Sequence, residues 1–94
     1  MANLNSLTVK FSDLPKIDGV FLNDITAEAY REYDMVGRDK PYRIENPVGM
    51  YVRNGGTTHR VVDSEGVAHC IPFGGTSGTV LRCKNKPGVP PVQS

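Results

Sequence analysis

Two glycine-rich segments in the second half of the chain carry the residue types that bind anions. They read NGGTT at 54–58 and GGTSGT at 74–79. Glycine-rich turns expose backbone N–H groups, and these groups together with hydroxyls form concave anion sites. Arg53 borders the first segment, and Arg60 and Arg82 supply further positive charge. We therefore predict a ligand- or partner-binding site here. Its expected members are Tyr51, Arg53, Asn54, Gly55, Gly56, Thr57, Thr58, Arg60, Gly74, Gly75, Thr76, Ser77 and Arg82.

The same glycines have a second explanation. Hairpin turns need residues with positive φ, and glycine adopts that conformation without strain. Neither segment matches a phosphate-loop or dinucleotide fingerprint, which would also need a following helix. The anion-site hypothesis therefore depends on the two loops meeting at one edge of a sheet.

The two histidines are a candidate metal pair. His59 and His69 are expected on the same face of neighbouring strands, within reach of a shared ligand. Zinc takes four ligands, however, and Cys70 is expected on the face opposite to His69. The alternative is that both rings lie at the rim of the core with their nitrogens hydrogen-bonded. We predict no metal and no cofactor.

No group of residues is spaced as a catalytic site. Cys70 and Cys83 lack a neighbouring motif that would stabilise a thiolate and supply a base, and we expect both to be thiols. The carboxylates within 24–34 are spaced as on the solvated face of a helix. We predict that the chain is not an enzyme.

The 94-residue chain has almost no net charge. Lysine and arginine number 11 against 10 acidic residues, which gives a net charge of +1 and no general attraction to phosphate backbones. A single-strand binder would need aromatic platforms among basic residues. We predict no nucleic-acid partner. The residues considered for such a surface are Tyr42, Tyr51, Phe73, Arg43, Arg53, Arg60 and Arg82.

Hydropathy and the N-terminal residues bear on location. No apolar stretch approaches the roughly 20 residues that span a bilayer. Residues 1–6 lack the basic and apolar regions of a secretory signal. We expect a cytoplasmic protein without a membrane partner.

The first half of the chain mixes a strand pattern with a helix pattern. Apolar and polar residues alternate over 7–11, which predicts a strand. Apolar residues recur at helical spacing over 25–36, with Asn23 or Asp24 as a cap and Gly37 after the last turn. We predict one short helix that docks onto the sheet.

The second half predicts a three-stranded meander. A two-residue turn at Asn54-Gly55 pairs Met50 with His59. A turn over 63–66 pairs Val61 with His69. The expected core face holds Val48, Met50, Val52, His59, Val61, Val67, His69 and Ile71. The opposite face, open to a ligand or partner, holds Tyr51, Arg53, Thr58, Arg60, Val62, Ala68 and Cys70.

These elements predict an α+β fold. We expect a small antiparallel β-meander or partly open barrel of 4–5 strands with one short helix, the last strand running over 79–84. Residues 1–84 form a single domain, and residues 85–94 form a flexible proline-rich tail.

The stretch from Gly55 to Pro72 resembles small uncharacterised accessory proteins encoded by bacteriophages. The resemblance implies the cytosol of a bacterial host. It also implies one of three roles: inhibiting a host enzyme or defence system, sequestering a signal molecule, or joining a virion.

These expectations combine into one leading function and two alternatives. We predict a non-enzymatic binding protein, of the bacteriophage type, that inhibits a bacterial host or defence protein by occupying it. The alternatives are a sponge for a small anionic, nucleotide-like ligand and a structural virion component. Because a small sheet has exposed edges, we also predict a homo-oligomer.

Overall fold

The chain forms two antiparallel β-sheets. The structure is a computed structural model that describes residues 8–53, 55–74 and 77–88. After a short 3-10 helix at Phe11–Asp13, the strands are β1 Val20–Asp24, β2 Glu28–Asp34, β3 Tyr42–Glu45, β4 Pro47–Arg53, β5 Thr58–Asp63, β6 Ala68–Pro72 and β7 Val80–Asn85. The four-stranded sheet has the order β1-β4-β5-β6, and the three-stranded sheet has the order β3-β2-β7.

The two sheets pack against each other and enclose the core. Tyr33 and Ile44 come from the three-stranded sheet, and Val61 and Ile71 come from the four-stranded sheet. Ile25, in the turn between β1 and β2, completes this cluster. Tyr33 and Val61 are 0% exposed, so the layer between the sheets excludes water at its centre.

The antiparallel β character of the fold is confirmed, but its α+β class is not. The predicted helix at 25–36 is wrong, because Glu28–Asp34 is the central strand of the three-stranded sheet. In this strand Arg31 and Tyr33 point into the core and Glu32 points outward, which is the period of two of a strand. The sequence does not show this alternation as apolar and polar residues, because Arg31 is charged. The helix would have been marginal alone, whereas the strand has hydrogen-bonded neighbours on both sides.

The predicted strand over 7–11 is also wrong for residues 8–11, which the structure describes. Residues 8–10 have no regular structure, and Phe11 starts the 3-10 helix. The Lys10 N–H donates to the Asp13 carboxylate at 2.9 Å, which satisfies a donor that a strand would have paired. Leu7 lies outside the described residues.

The second hairpin has the predicted register, and the first does not. Val61 pairs with His69 as expected. Met50, however, pairs with Val61 instead of His59. The turn closed by the Gly56 N–H and the Arg53 carbonyl oxygen, at 2.7 Å, is followed by Thr57 before β5 begins, so the loop is two residues longer than predicted. Because the shift is two residues, the alternation of faces is kept along the paired stretch from Gly49 to Tyr51. Val67, expected on the core face, is 48% exposed because it belongs to the turn before β6.

The last strand forms where it was predicted but joins the other sheet. β7 lies beside β2 and not beside β6. The predicted β-meander or partly open barrel of 4–5 strands is therefore matched only in part: β4, β5 and β6 form the three-stranded meander, but seven strands divide between two packed sheets. Pairing with β2 gives the three-stranded sheet its second edge strand and brings Leu81 against the core.

The end of the chain is described as far as Gly88. Asn85, where the predicted tail begins, is the last residue of β7. The Lys86 N–H donates to the Ala27 carbonyl oxygen at 2.8 Å. Residues 89–94, which hold the remainder of the predicted tail, lie outside the described residues. Within the described ranges, no helix is long and apolar enough to cross a membrane.

Candidate functional site

A groove of about 450 Å³ lies on the face of the four-stranded sheet that points away from the core. This volume falls in the range of pockets that hold small molecules. We call it the groove, and its lining residues are Ile17, Val20, Tyr51, Arg53, Gly56, Thr57, Thr58, Arg60 and Cys70.

Strand pairing explains why these residues meet. Tyr51 pairs with Arg60, and Arg60 pairs with Cys70, so the three form one row across β4, β5 and β6. Val20 pairs with Arg53 in the ladder between β1 and β4. Paired residues on neighbouring strands share a face, so both rows line the groove.

The segment before β1 builds one wall of the groove. Tyr51 is only 7% exposed, and its hydroxyl donates to the Pro15 carbonyl oxygen at 2.5 Å. The Val20 N–H donates to the Ile17 carbonyl oxygen at 3.1 Å, which closes the turn into the strand. Ile17 is 45% exposed, so this wall presents apolar surface to the groove.

The polar part of the lining is positively charged. Arg53 and Arg60 supply two guanidinium groups, and Thr57 and Thr58 supply two hydroxyls. Among the lining residues that the structure describes, none carries a carboxylate. The groove therefore favours an anionic group over a cationic one.

The predicted site residues fall into three groups. Lining the groove are Tyr51, Arg53, Gly56, Thr57, Thr58 and Arg60. Described but not lining it are Gly55, Gly74, Ser77 and Arg82. Outside the described residues lie Asn54, Gly75 and Thr76.

The two glycine-rich loops do lie at the same end of the sheet. The Phe73 N–H, just before the second loop, donates to the Thr57 carbonyl oxygen in the first loop at 2.7 Å. The Gly56 N–H is taken by the Arg53 carbonyl oxygen, however, and Gly74 accepts from the Ser77 N–H at 3.1 Å. The groove's polar lining is therefore made of side chains more than of a nest of backbone amides.

Arg82 belongs to a different surface. It lies on β7 in the three-stranded sheet, and its guanidinium is 3.7 Å from the Asp34 carboxylate. We expected it to supply positive charge to the site from the last strand of the same sheet, but β7 belongs to the other sheet.

Ile17 and Val20 are lining residues that the sequence prediction missed. They precede or begin a strand in a segment interrupted by Gly19, where no period of two is visible. A cue for their position is Leu14, which packs within 2.3 Å of the position that a Cβ atom would take on Gly49. Only a glycine in β4 admits this segment so close to the sheet.

His59 belongs to a buried polar network between the sheets. Glu28 and Arg31 form a two-pronged ion pair, with N–O distances of 2.6 and 3.0 Å. Arg31 also donates to the Tyr33 hydroxyl at 2.8 Å, and the Tyr33 oxygen is 3.0 Å from Nδ1 of His59. Tyr33 is 0% exposed, and among the described residues Nδ1 of His59 is the acceptor within reach of its proton, so the tautomer that satisfies both groups has Nδ1 accepting from the Tyr33 hydroxyl. His59 is also stacked on Phe73, at 4.3 Å between ring centroids.

Burial and charge set the protonation of this network. Burial opposes the charge on Arg31, but the Glu28 hydrogen bond and the charges of Tyr33 and Glu28 outweigh it and raise the Arg31 pKa. Burial lowers the pKa of His59, and the Arg31 charge lowers it further. The network therefore keeps Arg31 charged and opposes protonation of the His59 imidazole.

His69 takes part in a second chain between the sheets. The Tyr42 oxygen is 2.6 Å from Nδ1 of His69, and Nε2 of His69 is 2.9 Å from the Asp63 carboxylate. Asp63 also accepts from the Glu65 and Val67 N–H groups. The order Tyr-His-Asp is that of a general-base relay. These three hydrogen-bonded residues connect β3 to β6 and β5. None of them lines the groove.

The cysteines and the metal-ligating residues do not form a cluster. Within the described ranges, no group of three or more histidine, cysteine or acidic side chains is placed to hold a metal ion. Both cysteines are free thiols. Burial raises the pKa of Cys83 and the Glu28 charge raises it further, which keeps this thiol protonated and a poor nucleophile.

Comparison with known proteins returns no relative. No family model, no curated protein sequence and no solved structure matches the chain.

Proposed function

We propose that this chain is a non-enzymatic binding protein that holds an anionic group of its partner in the groove. The single observation that carries the proposal is the lining itself. Arg53 and Arg60 both line the groove together with two threonines, and no carboxylate lies among the described lining residues. Uncompensated positive charge in a concave site is the arrangement that attracts and orients an anion.

The state of the other arginines supports this reading. Arg31, Arg43 and Arg82 each pair with a carboxylate. Arg38 lies over the ring of Tyr42, at 5.7 Å. Within the described part of the chain, Arg53 and Arg60 have no acidic partner. Arg38 has no carboxylate partner among these pairs either, but of these three arginines only Arg53 and Arg60 line the groove.

The lining supports binding over catalysis. An enzyme needs a nucleophile or a base within hydrogen-bond reach of its substrate. The described lining contains no histidine and no carboxylate, and the nearest nucleophile is the Cys70 thiol, without a base beside it. The groove thus has the groups to hold an anion and lacks the usual groups to transform it.

A bacteriophage-type role fits this activity and stays a prediction. A protein of this kind would occupy an acidic segment of a bacterial host or defence protein, or remove a small signal molecule from solution. The role of a virion component and the formation of a homo-oligomer also stay predictions. The outer strands β1, β6, β3 and β7 give self-association four candidate edges.

The test compares the wild-type protein with the charge-reversed Arg53→Glu/Arg60→Glu variant. Both are purified from a bacterial cytosol without chelator and measured by native mass spectrometry, followed by a pull-down from host lysate. We expect the wild-type protein to retain a small molecule or a protein that the variant has lost. Circular dichroism checks that the variant is folded. We expect it to fold, because both substituted residues are exposed.

The matched control is Arg82→Glu, which reverses an arginine outside the groove. It should retain the same partner as the wild-type protein. If the charge-reversed groove variant also retains that partner, the groove is not the binding site and the proposal is wrong.

A further inference from the structure

We infer that the occupant of the groove is a phosphate monoester with an apolar body, of about mononucleotide size. This inference rests on the proposed function and deepens it, because it names the chemical class that the lining recognises. It depends on the division of the lining into a donor half and an apolar half.

The donor half favours a phosphate over a carboxylate. Arg53, Arg60, Thr57 and Thr58 line the groove, and their side chains carry two guanidinium groups and two hydroxyls. A guanidinium presents its N–H groups as a planar fork, and one fork satisfies both oxygens of a carboxylate. Two forks with two hydroxyls exceed what a carboxylate can accept, whereas a phosphate monoester has three acceptor oxygens and nearly two negative charges at neutral pH.

The position of the arginines suits a single phosphate. Tyr51 pairs with Arg60, and Arg53 is two residues beyond Tyr51 on the same face of β4. The two arginines are thus diagonal neighbours on adjacent strands, about 7 to 8 Å apart at the backbone. Side chains of that length converge on one group between them.

The apolar half gives the ligand a second requirement. Ile17 and Val20 form the β1 side of the groove, where Val20 lies beside Arg53 in the ladder, and Tyr51 adds an aromatic residue to the lining. Ile17 is 45% exposed, so covering it with an apolar or aromatic group removes apolar surface from water and stabilises the complex. An inorganic anion would leave this half of the groove unused.

The volume limits the size of the ligand. A groove of about 450 Å³ accommodates a phosphate together with a body of one or two rings. A folded protein domain would contact mainly the rim, and a long nucleic acid would need a basic stripe beyond the groove. The described face of the three-stranded sheet does not continue such a stripe, because its arginines Arg43 and Arg82 are paired with carboxylates.

The test measures binding by isothermal titration calorimetry with a fixed set of probes. Four mononucleoside 5′-monophosphates and 1-naphthyl phosphate carry both features, while ribose 5-phosphate and inorganic phosphate lack the apolar body. Adenosine and 1-naphthol lack the phosphate. We expect at least one two-feature probe to bind roughly tenfold or more tightly than its one-feature fragments, since each half contributes separately.

Variants assign the two halves to their residues. Arg53→Ala and Arg60→Ala should each weaken the best probe by about tenfold or more, as expected for a lost charge-assisted hydrogen bond. Arg82→Ala, outside the groove, should leave its affinity unchanged. Ile17→Ser should weaken the two-feature probe but leave the affinity for ribose 5-phosphate as it was.

The outcomes separate this inference from the proposed function. If inorganic phosphate binds as tightly as every two-feature probe, the apolar half does not select the ligand and the inference is wrong. It is also wrong if no probe binds while a protein partner is captured in a manner that depends on Arg53 and Arg60, although the proposed function would then stand. If neither a probe nor any partner depends on these arginines, both are wrong.

Discussion

The hydroxyl of Tyr51 donates to the carbonyl oxygen of Pro15 at 2.5 Å, and this bond joins the floor of the groove to its wall. Tyr51 lies in the middle of β4, whereas Pro15 belongs to the segment that leads into β1. The two residues are 36 positions apart, and the bond holds this segment over the sheet. The shape of the groove therefore depends on a side chain that scarcely reaches solvent.

Replacing Tyr51 with phenylalanine removes this bond and keeps the ring. We expect the free energy of unfolding to fall by about 1 kcal/mol, the usual contribution of such a hydrogen bond. Amide exchange at Ile17 and Val20 should become faster, because their segment loses its anchor. Hydrogen exchange measured by NMR reads both effects.

The control is Tyr30→Phe in the three-stranded sheet. The contact of Tyr30 is made by its ring, which lies 3.7 Å from the Arg43 guanidinium. This variant should leave exchange at Ile17 and Val20 unchanged. Equal acceleration in both variants would mean that the Tyr51 bond does not hold the wall.

The buried ion pair of Glu28 and Arg31 makes a second prediction. Both side chains are almost fully enclosed, and Arg31 also supports Tyr33. Arg31→Met strands the Glu28 carboxylate without its partner, so we expect a loss of about 3–5 kcal/mol in the free energy of unfolding. Urea denaturation followed by circular dichroism measures it.

The double variant Glu28→Gln/Arg31→Met should recover part of this loss, because no buried charge is then left alone. The exposed pair of Arg43 and Glu32, at 3.1 Å, gives the comparison. Arg43→Met should cost far less than Arg31→Met, since solvent screens a surface pair. Similar losses at the two sites would contradict the assignment of Arg31 to a desolvated network.

The local turn signals predicted the sheet better than the helical spacing did. The turn at 63–66 set the register of β5 and β6 because its residues and its length leave one geometry. Glu28–Asp34 was misread because a buried ion pair puts charged residues on the core side of a strand. The sequence does not show that Glu28 and Arg31 are paired and buried, because that pairing depends on the folded strand. The sheet that β7 joins is likewise set by tertiary packing, which a local pattern does not contain.

The groove was predictable in its polar half and not in its apolar half. Alternation placed Arg53, Thr58 and Arg60 on one face, and a register error of two residues left that face unchanged. Ile17 and Val20 reach the site through the fold of the preceding segment over β4, for which the sequence offers no periodic signal. Tyr51 was assigned to binding, but most of its surface is used to hold that segment.

A third prediction concerns the space that Gly49 leaves for Leu14. A Cβ atom on Gly49 would lie 2.3 Å from Cδ1 of Leu14. Gly49→Ala therefore forces the end of the Leu14 side chain to shift. We expect a loss of about 1 kcal/mol, the low end for overpacked sites, because the displaced atom ends a flexible side chain.

A double-mutant cycle isolates this contact. Leu14→Ala removes the atom that collides, so adding Gly49→Ala to that variant should cost less than it does in the wild-type protein. Urea denaturation of the four proteins gives the coupling. Strictly additive losses would show that the cost of Gly49→Ala arises elsewhere in β4.

The last prediction follows from the protonation of His59. Burial and the Arg31 charge lower the folded-state pKa of His59 below its ordinary value of about 6.5. Above that pH the ring is neutral in both the folded and the unfolded chain, so it adds no pH dependence. As the pH falls from about 6.5 through the lowered pKa, the unfolded chain takes up a proton that the folded chain resists. The free energy of unfolding should therefore decrease over this window and level off below it.

The geometry explains why the folded protein resists this proton. Nδ1 of His59 accepts from the Tyr33 hydroxyl, which in turn accepts from Arg31. A proton on Nδ1 would turn this acceptor into a donor and leave the Tyr33 hydroxyl proton without an acceptor. It would also place a positive charge in a partly buried position near the Arg31 guanidinium. Urea denaturation between pH 8 and pH 5 on wild-type protein and on His59→Gln separates this effect. Contributions from all other groups are common to both proteins and cancel in the difference. The variant should lose less stability on acidification than the wild type, and identical pH profiles would assign the acid sensitivity to other groups.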